Sequence, residues 1–169
     1  KMKPKISFVM ITARTDFPYL GRPDLNIFVP TLETFKQQTM REFELIIVDV
    51  LYDQRKNYFK NMKLPFQIKH IPAKPNLWIQ KGFPGICSQY NKGIIYADGE
   101  LLFFTGDSHM VKPTFMENLW QRYLQGYFPL AWYFFDLTYS NVDELKQTDD
   151  PTKFSKAYPE YTLPCAPYN

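Results

Sequence analysis

Glycine, cysteine and histidine are scarce in this chain, at 7, 2 and 2 of 169 residues. The few glycines form no GxGxxG and no GxxxxGK[ST], which argues against a dinucleotide dehydrogenase, a P-loop enzyme and most methyltransferases. Cys87 and Cys165 make no CxxC pair and exclude a disulfide-rich scaffold, so they read as free thiols in a reducing compartment, with Cys87 expected to be packed. His70 and His109 are too few to favour a His-dependent hydrolase, and Ser88 lies in no GxSxG elbow. No apolar run approaches the roughly 18 residues of a membrane helix. The charge excess is slight, +3 from 20 basic and 17 acidic residues, and the basic residues are scattered, so nucleic acid is not an expected partner. Lys1 to Lys5 precede a short apolar run, but Thr12-Ala13-Arg14 ends it without a small-residue cleavage site. The expected location is the cytoplasm, free or peripheral to a membrane.

What the chain has in quantity is aromatic residues: 15 Phe, 12 Tyr and 3 Trp. With 45% hydrophobic residues it is too apolar for disorder, and its length suits a single domain with one core. Residues 6–11 and 44–50 are apolar, β-favouring runs suited to strands buried on both faces, and residues 101–105 make a third. These three are expected as adjacent central strands. Residues 66–71 alternate, with Phe66, Ile68 and His70 on one face, as a strand nearer an edge would. Residues 129–137 suggest a fifth strand. Between them lie helical patterns: residues 31–38 with Thr31 as a cap, Ile86/Tyr90/Ile94 ending near Gly99, and Phe115/Leu119/Trp120/Tyr123 between Pro113 and Gly126. Strands alternating with helices predict an α/β, Rossmann-like domain with a mainly parallel sheet. From Ala157 the tail is rich in Pro and Tyr and predicts little regular structure; the chain reads as the front part of a longer protein.

In such sheets ligands bind beyond the carboxyl ends of the strands. The first strand runs into Thr12-Ala13-Arg14-Thr15-Asp16, the second ends in Asp49 with Asp53 and Arg55 soon after, and another runs into Thr105-Gly106-Asp107-Ser108-His109. Each acid alone could merely cap a turn. Together they predict a polar crevice. Asp107 and His109, two apart in an extended segment, could share one divalent ion. Lys74, Trp78 and Lys81 lie in a Pro/Gly-rich stretch from Pro72 to Gly85 that could face a ligand or simply be an exposed loop.

Four stretches carry a resemblance. Ile6–Thr12, the stretch from Leu32 to Thr39 (LETFKQQT), Phe43–Asp49 (FELIIVD), and Tyr90-Asn91-Lys92-Gly93-Ile94 with the run from Ala97 to Phe104 (ADGELLFF) resemble, in order, segments of the family 2 nucleotide-diphosphate-sugar glycosyltransferases, which have the GT-A fold. The resemblance covers roughly the first 125 residues; residues 126–169 would form an acceptor-side tail. It implies that Thr12, Ala13 and Arg14 hold the nucleotide base and that Asp49, with Asp53 nearby, bonds its edge. It further places Asn91 and Asp107 among the nucleotide-binding residues, and Lys81 of the 72–85 stretch would join them as positive charge near the diphosphate. The family's D-x-D binds Mn2+ or Mg2+ at the diphosphate. Here Asp107 keeps the middle acid while Gly106 and Ser108 replace the flanking ones, and His109 is the compensating ligand. The implied reaction transfers a sugar, with inversion, from a nucleotide-diphosphate sugar to a hydroxyl of a glycan, lipid or other acceptor, with a carboxylate as base. Asp136, Asp143 and Glu144 are candidates; Asp143, in a first helical turn after Ser140-Asn141, is the preferred one. The rival class is a non-catalytic nucleotide- or glycan-binding module of the same fold. A nucleotidyltransferase is disfavoured, because no glycine follows Arg14 until Gly21.

Overall fold

The computed structural model describes residues 3–12, 28–74, 85–107 and 109–126. Elements alternate along the chain: β1 (Ile6–Thr12), α1 (Phe28–Lys36), β2 (Phe43–Asp49), α2 (Tyr52–Lys60), β3 (Gln67–Pro72), α3 (Ile86–Ile95), β4 (Leu101–Gly106) and α4 (Phe115–Leu124). The strands form one parallel sheet in the order β3-β2-β1-β4. Parallel neighbours cannot be joined by a tight hairpin, so helices supply the crossovers. This is the expected α/β, Rossmann-like architecture.

The apolar runs produce the sheet because both of its faces are covered. On one face Ile6, Phe8 and Met10 of β1 and Phe43, Leu45 and Ile47 of β2 pack under Leu32 and Phe35 of α1 and Met116, Leu119 and Trp120 of α4. Phe8 is central there, with ring centroids 4.8 Å from Phe35 and 4.7 Å from Phe103. On the other face Val9, Ile46, Val48 and Ile71 form a second cluster, with α3 lying over β1 and β2.

Several expectations need correction. β4 pairs with β1 as expected, but among the described residues it is the edge of the sheet, and Phe104 is half-exposed. α1 starts at Phe28, so Thr31 is interior and its carbonyl accepts the Thr34 hydroxyl; Pro30 is tolerated because a first-turn N–H has no helical partner anyway. The Ile86/Tyr90/Ile94 stripe does mark a helix, but of the three only Tyr90 packs against the sheet; Gln89 and Gly93 are the buried residues, and Ile86 and Ile94 are exposed. Gly93 lets the helix backbone lie on the sheet: a Cβ there would come 2.2 Å from Val9 Cγ1. Cys87, on the same helix, is exposed rather than packed. Gly99 is no helix stop. It lies four residues past Ile95, and its N–H donates to Ser7 Oγ at 2.7 Å. The expected strand at 129–137 lies outside the described residues.

Candidate functional site

The strand order reverses between β1 and β4: from β1 the chain proceeds through β2 to β3, then returns through α3 to the other side of β1. In a doubly wound sheet that switch point opens a crevice at the carboxyl ends of the strands. The register brings those ends level, pairing Thr12 with Asp49, Asp49 with Pro72 and Ile11 with Gly106. Asp107, one residue beyond β4, therefore lies beside Thr12. Its Oδ2 accepts a 2.7 Å hydrogen bond from Thr12 Oγ1, and both residues are buried.

The polar chain continues across the sheet. Arg55, on α2, places Nη1 3.5 Å from Thr12 Oγ1 and 3.6 Å from Asp49 Oδ2. Asp49 is wholly buried. Its Oδ1 accepts the Leu51 N–H at 2.8 Å, and Oδ2 lies 3.0 Å from His70 Nε2. An ionised carboxylate only accepts, so Nε2 of His70 is the donor. The His70 ring is wedged against Phe59 (4.3 Å between centroids) and Tyr52 (4.7 Å). All four strand ends are thereby linked: Asp107 by β4, Thr12 on β1, Asp49 on β2 and His70 on β3.

Tyr90 reaches the same rim from α3. Its hydroxyl donates to the Thr105 carbonyl at 3.1 Å, and its pKa is raised, first by burial and then by the negative charge of Asp107. His109 sits beside β4, with Nδ1 accepting the Gly106 N–H at 3.1 Å. For a divalent ion this is a poor donor set. Among the described residues no three His, Cys, Asp or Glu side chains cluster as metal ligands. Asp107 already accepts from Thr12, and His109 spends its Nδ1 lone pair on the backbone.

Of the sequence-predicted residues, Thr12, Asp49 and Asp107 come together. Asp53 does not join them: its side chain is 88% exposed and pairs with Lys56 at 3.2 Å. Asn91 is exposed on α3. Ala13, Arg14, Lys81 and Asp143 lie outside the described residues. The direct contact expected between Asp49 and a base is not open here, because the carboxylate is covered and both oxygens are engaged. Sequence reasoning named Arg55 only as a polar residue soon after the second strand and gave no site role to His70 or Tyr90. The alternation of Phe66, Ile68 and His70 did put His70 on the face it occupies, but only the β2–β3 register brings it to Asp49.

The opposite end of the sheet carries a second buried network of structural character. Ser7 Oγ donates to Glu44 Oε1 at 2.6 Å, and the Asp98 N–H donates to the same oxygen at 2.7 Å. Lys69 Nζ lies 2.7 Å from Glu44 Oε2 and 2.6 Å from Asp98 Oδ2. Burial lowers the Lys69 pKa, but the bonds and charges of Asp98 and Glu44 outweigh it, so the net shift is upward; Asp98 is lowered by its hydrogen bond to Lys69. This network ties the turn after α3 to the start of β1.

No protein-family model matches the sequence, and no curated protein does. Among solved structures the chain is similar to the crystal structure of S. aureus TarS, a glycosyltransferase, with a TM-score of 0.53 and 17% identity. The match covers 73% of this chain and 20% of that one, so the chain spans about a fifth of the length of the solved relative. The likeness is one of fold: a Rossmann-like parallel sheet with flanking helices. No described helix is long and apolar enough to cross a membrane.

Proposed function

We propose that this chain is the nucleotide-binding part of a glycosyltransferase of the family 2 type, moving a sugar from a nucleotide-diphosphate sugar to an acceptor hydroxyl with inversion. The observation that carries the reading is the Thr12–Asp107 hydrogen bond at the switch point of a glycosyltransferase-like sheet. A buried acid held by the neighbouring strand at that crevice supports putting the donor's diphosphate beside it. In this reading Thr12, with Ala13 and Arg14 after it, borders the base. Asp49 holds that end of the crevice in shape through Leu51, His70 and Arg55. The Arg55 guanidinium supplies positive charge towards the phosphates. Lys81 and Asn91 are further donor contacts, and Asp143 is the proposed base that takes the acceptor hydroxyl's proton.

Calorimetry with a panel of nucleotide-diphosphate sugars, with Mn2+, with Mg2+ and with EDTA, tests the reading. Binding of at least one donor, weakened by Asp107→Asn, is the expected result. No binding by any donor refutes it. A second reading, a non-catalytic nucleotide- or glycan-binding module, is favoured by one observation: Gly106 puts no acid beside Asp107. Donor binding without sugar transfer to water or to any of a panel of hydroxyl acceptors would favour it.

A further inference from the structure

The Gly106 N–H donates to His109 Nδ1 at 3.1 Å. A backbone N–H can only donate, so Nδ1 is the unprotonated ring nitrogen. A neutral imidazole of that kind carries its hydrogen on Nε2. Metal-binding histidines are arranged the other way: the nitrogen remote from the ion donates to a carbonyl or carboxylate, and the near one keeps its lone pair. Held as it is, His109 has no lone pair left for a cation. The missing side chain at 106 leaves room for the ring, since a Cβ there would come 3.1 Å from Nδ1 and 3.2 Å from Cε1, close enough to press on it. His109 is exposed, and among the described residues Nε2 has no hydrogen-bond partner. An N–H aimed outward suits an anion, as does the guanidinium of Arg55 on the same rim.

We infer that His109 is a diphosphate-contacting residue: its Nε2–H donates to a phosphate oxygen of a nucleoside diphosphate, which binds here without a divalent ion. The inference rests on the nucleotide-sugar reading above and deepens it. Gly106 and His109 act as a pair, the glycine clearing the space and the imidazole filling it with a donor. Asp107, bonded to Thr12, then shapes the crevice floor and ligates no ion.

The test uses UDP and GDP as probes, with uridine and guanosine as controls, titrated calorimetrically in EDTA and in Mn2+. The tighter diphosphate should bind with affinity that differs by less than about twofold between the two conditions. His109→Ala should weaken it about tenfold and leave the nucleoside unchanged, the loss expected for one hydrogen bond to a charged group. His109→Gln, which keeps a side-chain N–H, should recover part of that loss. Two-bond 1H–15N correlation spectra should show the His109 proton on Nε2. Tightening of tenfold or more by Mn2+, lost in His109→Ala, overturns the inference, as does a proton on Nδ1 in the free protein. Failure to bind either diphosphate in either condition overturns the transferase reading and this inference with it; the tautomer result strikes this inference alone.

Discussion

Thr12 Oγ1 and Asp107 Oδ2 lie 2.7 Å apart, joining residues separated by 95 positions at the point where the strand order reverses. The bond is buried and its acceptor is a carboxylate, so its loss costs more than that of a neutral pair. Thr12→Val keeps the shape and removes the donor; the expected destabilisation is about 1.5–3 kcal/mol by urea unfolding. Thr12→Ser keeps the hydroxyl and should lose no more than about 1 kcal/mol, the worth of a buried methyl. Equal losses in the two variants would show that the hydrogen bond contributes nothing.

Asp49→Asn keeps the side-chain volume but removes the charge that faces His70 and Arg55. Nucleotide affinity should fall about tenfold or more, equivalent to roughly 1.4 kcal/mol. Circular dichroism establishes whether the variant is folded; a folded variant with unchanged affinity would remove Asp49 from the site.

Gly93 and Gly99 are close-approach positions of different kinds. A Cβ on Gly93 meets a side-chain methyl, Val9 Cγ1, at 2.2 Å; one on Gly99 meets backbone, Ser7 N at 2.4 Å and Ile6 C at 2.7 Å. Gly93→Ala should cost about 1–3 kcal/mol, and Gly99→Ala should cost more because backbone must move. Adding Val9→Ala to Gly93→Ala should cost less than the sum of the single changes, since the two share one contact. Strict additivity in thermal unfolding would contradict the packing described.

The Glu44–Lys69–Asp98 network predicts a pH dependence. The Lys69 pKa is raised above its ordinary 10.5, so its contribution is full below pH 10.5 and is lost as pH rises through the folded value. The Asp98 pKa is lowered below 3.8, so its contribution is present above that pH and is lost as pH falls through the folded value. Lys69→Met leaves Glu44 buried without its cation and should cost about 3 kcal/mol near neutrality, the low end for a buried pair because Lys69 is 20% exposed. The deficit should be largest around neutral to mildly alkaline pH and shrink towards both limits, from the acid side as the uncompensated Glu44 takes up a proton. A deficit unchanged at the extremes would mean that packing, not charge, is what Lys69 supplies.

The sequence also shows which parts of such a molecule local pattern can reveal. Phe43–Asp49 reads as a buried strand because the apolar β-formers Leu45-Ile46-Ile47-Val48 run through its middle, and it is buried along its whole length. α2 went unpredicted because it is polar along most of its length, with Phe59 its buried residue. The stripe of Ile86, Tyr90 and Ile94 revealed the helix but not its buried face, because α3 approaches the sheet so closely that Gly93 makes the central contact, with Tyr90 beside it.

By itself the sequence determined the strand cores, their alternation with helices, and the placement of Asp49 and Asp107 just where apolar runs end. Those features are local: β-propensity, hydrophobic continuity and chain order suffice to produce them. The tertiary structure decided which acids meet which partners. Strand order put β4 beside β1 and so gave Asp107 to Thr12; the β2–β3 register gave His70 to Asp49; and Arg55 reached both Thr12 and Asp49 only because α2 packs where it does. It also gave the His109 Nδ1 lone pair to the Gly106 N–H, a contact that the spacing of Asp107 and His109 does not reveal. Which ring nitrogen holds the proton depends on what the other one touches, and that is fixed by the folded loop, not by the distance between two residues along the chain.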